Sequence, residues 1–380
     1  MDGLQELVEE PTRTGSVPGV VALVATGGRR EVAVAGVRSL GGAAMSRDTV
    51  FRIASMTKPL VAAAAMVLVD RGRLGLDDEV RRWLPELAAP SVLRTPTSEL
   101  DDVVPAERPI TVRHLLEFSA GHGLVPQFDA PVVVALQERL HQGPPEPQRI
   151  PAPQEWVARL AEIPLVHQPG RGWTYNTGAD VLGVLLARVA GTSLSQVLAD
   201  TVLDPLGLHD TGFSVPAGSR DRFATSYRAD DSGDLVQVDG PDGQWSEEPA
   251  FASGAGGTVS TVDDWCTFAQ MLLAGGQHAG RTVLSTEAVR QMISPQNRAE
   301  PGNLFLQDQA WGFGGSVDVS AGQLWEVPGR YGWMGGTGTA GYLYPATGTV
   351  AVWLSQREMA GPADLATVGR FLTAVARPGR

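Results

Sequence analysis

Phe51-Arg52-Ile53-Ala54-Ser55-Met56-Thr57-Lys58-Pro59 leads into a stretch, 60–69, that is apolar on almost every side and holds four consecutive alanines. Such a stretch reads as a buried helix over 55–71, ended by Gly72. Three residues apart on that helix, the Ser55 hydroxyl and the Lys58 amine share a face about one turn apart. The spacing suits a nucleophile and its base. Serine attacks at neutral pH only when something takes its proton, and a lysine takes one only when burial or a neighbouring cation lowers its pKa from about 10.4. Pro59 crowds the carbonyl four residues back, so a tight, nonstandard first turn is expected here. The helix start also offers the Ser55 N–H as an oxyanion donor.

Upstream, an amphipathic helix over 2–10 precedes two β-branched runs, 19–26 and 30–37, separated by Gly27-Gly28 in the pattern of a hairpin. Downstream, 77–245 has helical stretches at 112–118, 156–161, 180–190 and 193–201, broken by the Pro-rich loop 143–147 and by Pro151 and Pro153. After a further helix over 262–273, strand signals return at 323–327, 339–344 and 349–354, with a turn at 345–348 and a last helix over 363–376. Hairpins at both ends of the chain predict one antiparallel sheet built from both. The fold class is α/β, an antiparallel sheet flanked by helices plus a helical lobe. Its sheet domain is discontinuous (1–76 and 246–380), the lobe spans 77–245, and the active site lies between them.

An S-x-x-K spacing is common by itself, and its company gives it meaning. Ile110-Thr111-Val112-Arg113-His114-Leu115-Leu116, Pro169-Gly170-Arg171-Gly172-Trp173-Thr174-Tyr175 and Gly256-Gly257-Thr258-Val259-Ser260-Thr261-Val262-Asp263-Asp264 follow it in order. Together these motifs resemble the serine β-lactamase and penicillin-binding-protein superfamily in its class C branch, most of all the family VIII carboxylesterases, over about residues 15–375. The resemblance implies a β-lactamase/transpeptidase-like fold, Ser55 as nucleophile, Lys58 as its proton acceptor or electrostatic partner, and Tyr175 as a second acid/base. A phenol acts as phenolate only beside a cation, so Lys58 and Tyr175 are expected to share a proton. Many relatives carry Tyr-x-Asn, whose asparagine helps hold a substrate amide. Here Tyr175-Asn176-Thr177 puts Thr177 in that place, with Asn176 beside it, and both are candidate substrate contacts.

The relatives' third motif is Lys-Thr-Gly or His-Thr-Gly; the matching stretch is Gly332-Trp333-Met334-Gly335-Gly336-Thr337-Gly338-Thr339. A cation there recognises the carboxylate of penicillins and peptidyl-D-alanine. Trp333 and Met334 are expected to line an apolar wall instead. Gly335 and Gly336 permit close backbone approach, and the Gly336 N–H joins that of Ser55 as the second oxyanion donor.

Other chemistries are disfavoured. A net charge of −12 opposes nucleic-acid binding. The longest apolar run, 60–69, is about half a membrane span, and the acidic first residues do not read as a secretory leader, so no membrane association and a cytoplasmic location are expected. The single cysteine, Cys266, sits in a core-like helix and makes no internal disulfide. Six histidines without ligand spacing predict no metal, and His114 reads as core support. Gly336 to Gly341 matches G-x-G-x-x-G by letter but leads into a strand, so no cofactor is expected. The sequence thus reads as a cofactor-independent carboxylesterase with a small uncharged ester as its partner. Acyl transfer, β-lactam or D-alanyl peptide hydrolysis, and a catalytically silent binding protein of the same fold stay open, as does the oligomeric state.

Overall fold

Gly27 and Gly28 both take positive φ, at 57° and 79°, which lets β1 (Gly19–Thr26) fold back as β2 (Arg29–Gly36). The structure, a computed structural model, describes residues 3–143, 145–365 and 368–377. Six further strands complete the sheet: β3 (Asn297–Arg298), β4 (Ala310–Trp311), β5 (Ser316–Val317), β6 (Tyr331–Gly335), β7 (Thr339–Tyr344) and β8 (Thr349–Ser355). Their spatial order is β3-β4-β5-β6-β7-β8-β1-β2, with every neighbouring pair antiparallel. The two ends of the chain meet in mid-sheet, where Val20 pairs with Ser355 and Ala25 with Val350.

Alternation along the strands divides the core in two. Val21, Leu23, Val350, Val352 and Leu354 face a larger core with α2 (Thr57–Asp70) and α4 (Val262–Leu273), while Val20, Ala22, Tyr342, Ala351 and Trp353 face a smaller one with α1 (Leu4–Arg13) and α5 (Gly369–Ala376). The sheet is apolar on both faces because helices cover both. In α2, every residue from Thr57 to Leu68 is buried, and α3 (Thr177–Ala190) packs beside it. Cys266 is buried in α4, as its neighbours Trp265 and Phe268 imply. Among the described residues no single helix is long and apolar enough to cross a membrane.

Residues 77–245 hold the helices Val112–Leu116, Pro131–Leu140, Pro153–Ala161 and Leu194–Leu198 besides α3. They also hold two small two-stranded sheets, Ser91–Leu93 with Val103–Pro105 and Ser226–Ala229 with Leu235–Asp239. The last helix begins at Gly369 rather than at 363, with 366–367 outside the described residues, as are 1–2 and Pro144.

The strand expected at 323–327 is a turn. Its backbone is spent on carboxylates: Gln323 N–H donates to Glu326 Oε2 at 2.9 Å and Val327 N–H to Asp318 Oδ2 at 2.8 Å. Asp318 is itself committed to Arg330, whose Nη2 donates to Oδ1 at 3.0 Å, with both side chains fully out of solvent. The guanidinium carbon lies 4.0 Å from the Tyr342 ring centre and 4.6 Å from that of Trp325. The segment is shaped around a buried cation and not around a neighbouring strand. Asp318→Ala leaves that cation uncompensated and is expected to cost about 3–5 kcal/mol of unfolding free energy, read by urea denaturation. A loss under about 1 kcal/mol would show that the pair does not hold this end of the sheet.

Candidate active site

Ser55 sits on a single 3₁₀ turn, Ala54–Met56, that precedes α2, so the irregular start expected from Pro59 is present. The preceding Ala54 has φ 42°, a left-handed conformation that costs a side-chain-bearing residue free energy and persists only where its surroundings fix it. They do so from three sides. The strand Phe51–Arg52 pairs with Val259–Ser260, and Ile53 N–H donates to Thr258 O at 3.1 Å. Thr57 Oγ1 donates to Ala54 O at 2.7 Å and accepts from Thr258 N–H at 3.1 Å. On the third side lies β6: a Cβ on Gly335 would stand 2.3 Å from Ile53 O. Gly335 is not among the residues that line the cleft, and the backbone that approaches it closely is the serine turn rather than a substrate. It is the spacer that lets the strand press against the serine turn.

Three side chains converge on the turn. Lys58 Nζ lies 2.9 Å from Ser55 Oγ, 2.8 Å from Asn176 Oδ1 and 2.6 Å from Ala255 O. Tyr175 OH lies 2.9 Å from Ser55 Oγ, and Trp333 Nε1–H donates to the same phenol oxygen at 2.8 Å. Reciprocal backbone bonds with Leu124 anchor Tyr175, and its ring stacks on Phe305 with centres 4.6 Å apart. The residue after Tyr175 turns sharply: Asn176 has φ 80° and aims its amide at Lys58. Thr177 consequently points inward, fully buried, and donates to Gln142 Oε1 at 2.6 Å. The expectation of a substrate contact at Thr177 is corrected: counting letters from Tyr175 misses the left-handed turn, which gives the cleft to Asn176.

Lys58 is buried, and desolvation pulls its ammonium from 10.5 down to about 7 against the opposing pull of Asp180. Burial pushes the Tyr175 phenol up, opposed by its bonds to Ser55 and Trp333. Hydrogen-bond roles follow. A neutral lysine amine has two N–H bonds, for Asn176 and Ala255, and a lone pair for the Ser55 hydroxyl proton. Ser55 Oγ then accepts from Tyr175 O–H, whose oxygen accepts from Trp333. With the amine neutral, every donor from Trp333 to Lys58 points one way.

The turn forms the floor of a cleft of about 440 Å³ with apolar walls that include Leu124, Phe128, Trp156, Phe305, Met334 and Met359. Trp333 is at the wall of the cleft, and its indole N–H is a donor, so its surface is not purely apolar. Gly336 is at the wall; its carbonyl accepts from Met359 N–H at 2.8 Å, and among the described residues its own N–H has no protein acceptor. Glu146, Asp180 and Glu358 line the cleft, and among the described residues no arginine does. His114 closes a capping box with Thr111, away from the cleft. Among the described residues no group of three or more His, Cys, Asp or Glu is arranged to hold a metal ion. The sequence carries one further signal for the site: Lys58 is the only lysine among its 30 basic residues, all the others being arginine.

Residues 4–374 match the family described as Beta-lactamase. An uncharacterized protein of Mycobacterium tuberculosis is 37% identical over 372 residues, covering 94% of this chain and 90% of that protein. Esterase EstB of Burkholderia gladioli is 32% identical over 280 residues, covering 69% of this chain and 67% of EstB. Among solved structures, EstCE1, described as a hydrolase with promiscuous acyltransferase activity, superposes with a TM-score of 0.80 at 27% identity, covering 98% of this chain and 97% of that one. With a family match over nearly its whole length, and with these relatives beside it, the chain belongs to the beta-lactamase family.

Proposed function

We propose that the chain is a carboxylesterase that acts on small uncharged esters through an acyl-enzyme on Ser55. The unbroken line of hydrogen bonds from Trp333 through Tyr175 and Ser55 to the buried Lys58 carries this reading, and with the amine neutral its donors all point toward Lys58. Neutral Lys58 takes the Ser55 proton as Oγ attacks the ester carbonyl, and the N–H groups of Ser55 and Gly336 receive the oxyanion. Tyr175, protonated, supplies the departing alcohol and is restored from Lys58. Water then repeats the steps in reverse order of protons and releases the acid. The resemblance to an esterase and to a hydrolase with acyltransferase activity supports the same chemistry.

Acyl transfer is the second reading, favoured by the likeness to EstCE1 and by an apolar cleft wide enough for an alcohol acceptor. It uses the same residues, and product analysis with and without a competing alcohol separates the two. Carboxylate-bearing substrates fit less well. The wall has Glu146 and Glu358 and no arginine, and Trp333 offers its N–H to Tyr175 rather than a charge to the substrate. A silent binding protein would have no need of a buried amine held against a serine hydroxyl. The acidic net charge argues against nucleic acid as a partner.

Ser55→Ala is expected to reduce hydrolysis of p-nitrophenyl esters to a few per cent of wild type or less and to abolish labelling by a fluorophosphonate, because nucleophile and base act as a unit. Retained turnover would remove Ser55 from the reaction. The pH profile has a defined sign. A protonated Lys58 accepts nothing, so kcat/KM should fall about tenfold per unit below pH 7 and level off above it. A profile flat from pH 5 to 8 excludes Lys58 as the base. On one preparation, kcat/KM for a short-chain ester should exceed that for nitrocefin by about 10- to 100-fold, since an unpaired carboxylate in the cleft costs roughly 1–3 kcal/mol or more. A preference for nitrocefin would sink the esterase reading.

A further inference from the structure

Asp180, in the first turn of α3, is buried at the wall of the cleft, and among the described residues no arginine bonds to it. Its Oδ1 accepts from Ser253 Oγ at 2.7 Å and from Ala255 N–H at 3.0 Å, and its Oδ2 accepts from Gln142 Nε2 at 3.2 Å. All three partners donate, which is what an ionised carboxylate requires, and the positive end of the helix adds to it. The 253–255 segment is pressed onto α3 at the same place, where a Cβ on Gly254 would stand 2.4 Å from Ala179 O. Ala255 then joins the two ions: its N–H is held by Asp180 while its carbonyl accepts from Lys58 Nζ at 2.6 Å.

We propose that Asp180 is a positioning residue of this site: through Ala255 it fixes the Lys58 amine against Ser55, and its buried charge governs the pH at which that amine carries a proton. A lysine surrounded only by neutral oxygens in an apolar core loses its proton well below neutrality. Each of the two ions acts on the other, and burial drives both toward neutrality, the carboxyl upward and the amine downward. Tyr175 is the other titratable group beside Lys58, its ring centre 4.6 Å from Nζ, and it enters as a neutral phenol. His141, Glu146 and Glu358 line the cleft, and none of them hydrogen-bonds to Lys58. The inference rests on the proposed role of Lys58 only for its catalytic meaning.

The single lysine makes the test direct, since protein labelled with ¹³C,¹⁵N-lysine gives one side-chain signal, that of Lys58. Asp180→Asn removes the charge and keeps the network satisfiable, because Gln142 can turn its amide over and still meet Thr177. Its lysine midpoint should fall by about one pH unit or more relative to wild type. Asp180→Ser serves the same comparison if the asparagine variant does not fold. Ser253→Ala, which removes a donor and no charge, should move the midpoint far less. Coincident wild-type and Asp180→Asn midpoints, or an equal shift in Ser253→Ala, overturn the proposal. The kcat/KM limb of the same proteins reports on the other reading: if it fails to follow the lysine signal, Lys58 is not the base, while the control exerted by Asp180 stands.

Discussion

An amine taken out of water must either shed its proton or find an anion, and Lys58 is held between those outcomes. Its stem lies in a helix buried residue after residue, and the three atoms around Nζ are oxygens of a hydroxyl, an amide and a peptide group. None of them neutralises a full positive charge. The apolar character of α2 therefore reaches the cleft: the same methyl groups that bury surface on folding also weaken the Lys58 ammonium. A polar face on this helix would stabilise the ammonium and hold Lys58 protonated.

Rigidity comes from how the ends of the chain are used. The serine turn is strained at Ala54, and strain of this kind lasts only when over-determined. The pairing of Phe51–Arg52 with Val259–Ser260 and the approach of β6 through Gly335 supply that constraint from residues some 200 and 280 positions away. Trp333 reaches Tyr175 from the same strand, two residues before Gly335. One strand thus both braces the Ser55 turn and orients the Tyr175 phenol.

Much of this was legible in the sequence, for physical reasons. The hairpin, α2 and α4 announce themselves through periodicity and glycine punctuation, and the S-x-x-K placement with Pro59 foretells an irregular first turn. What was illegible depends on backbone sign and on long-range pairing. Nothing in the letters says that Asn176 adopts positive φ, so the inward turn of Thr177 could not be read. The β-like run at 323–327 gave no warning that its amides answer to Asp318 and Glu326, because that demand originates in Arg330. The short strands β3 to β5, two residues each, are too brief for any pattern. Trp333 was read by its area, and its N–H was overlooked.

The meeting of β1 and β8 in mid-sheet has a consequence for biosynthesis. Val20 leaves the ribosome long before its partner Ser355. At about 5–20 residues per second the delay is tens of seconds. Throughout it, β1 and β2 form a hairpin whose first strand is apolar on both faces and unpaired along one edge, the kind of template that recruits other chains. The nascent chain cannot pair β1 with β8 until Ser355 has been made, so the edge stays open until then. Any change in the pace at which the later strands are made would act on that interval while leaving the finished protein unchanged.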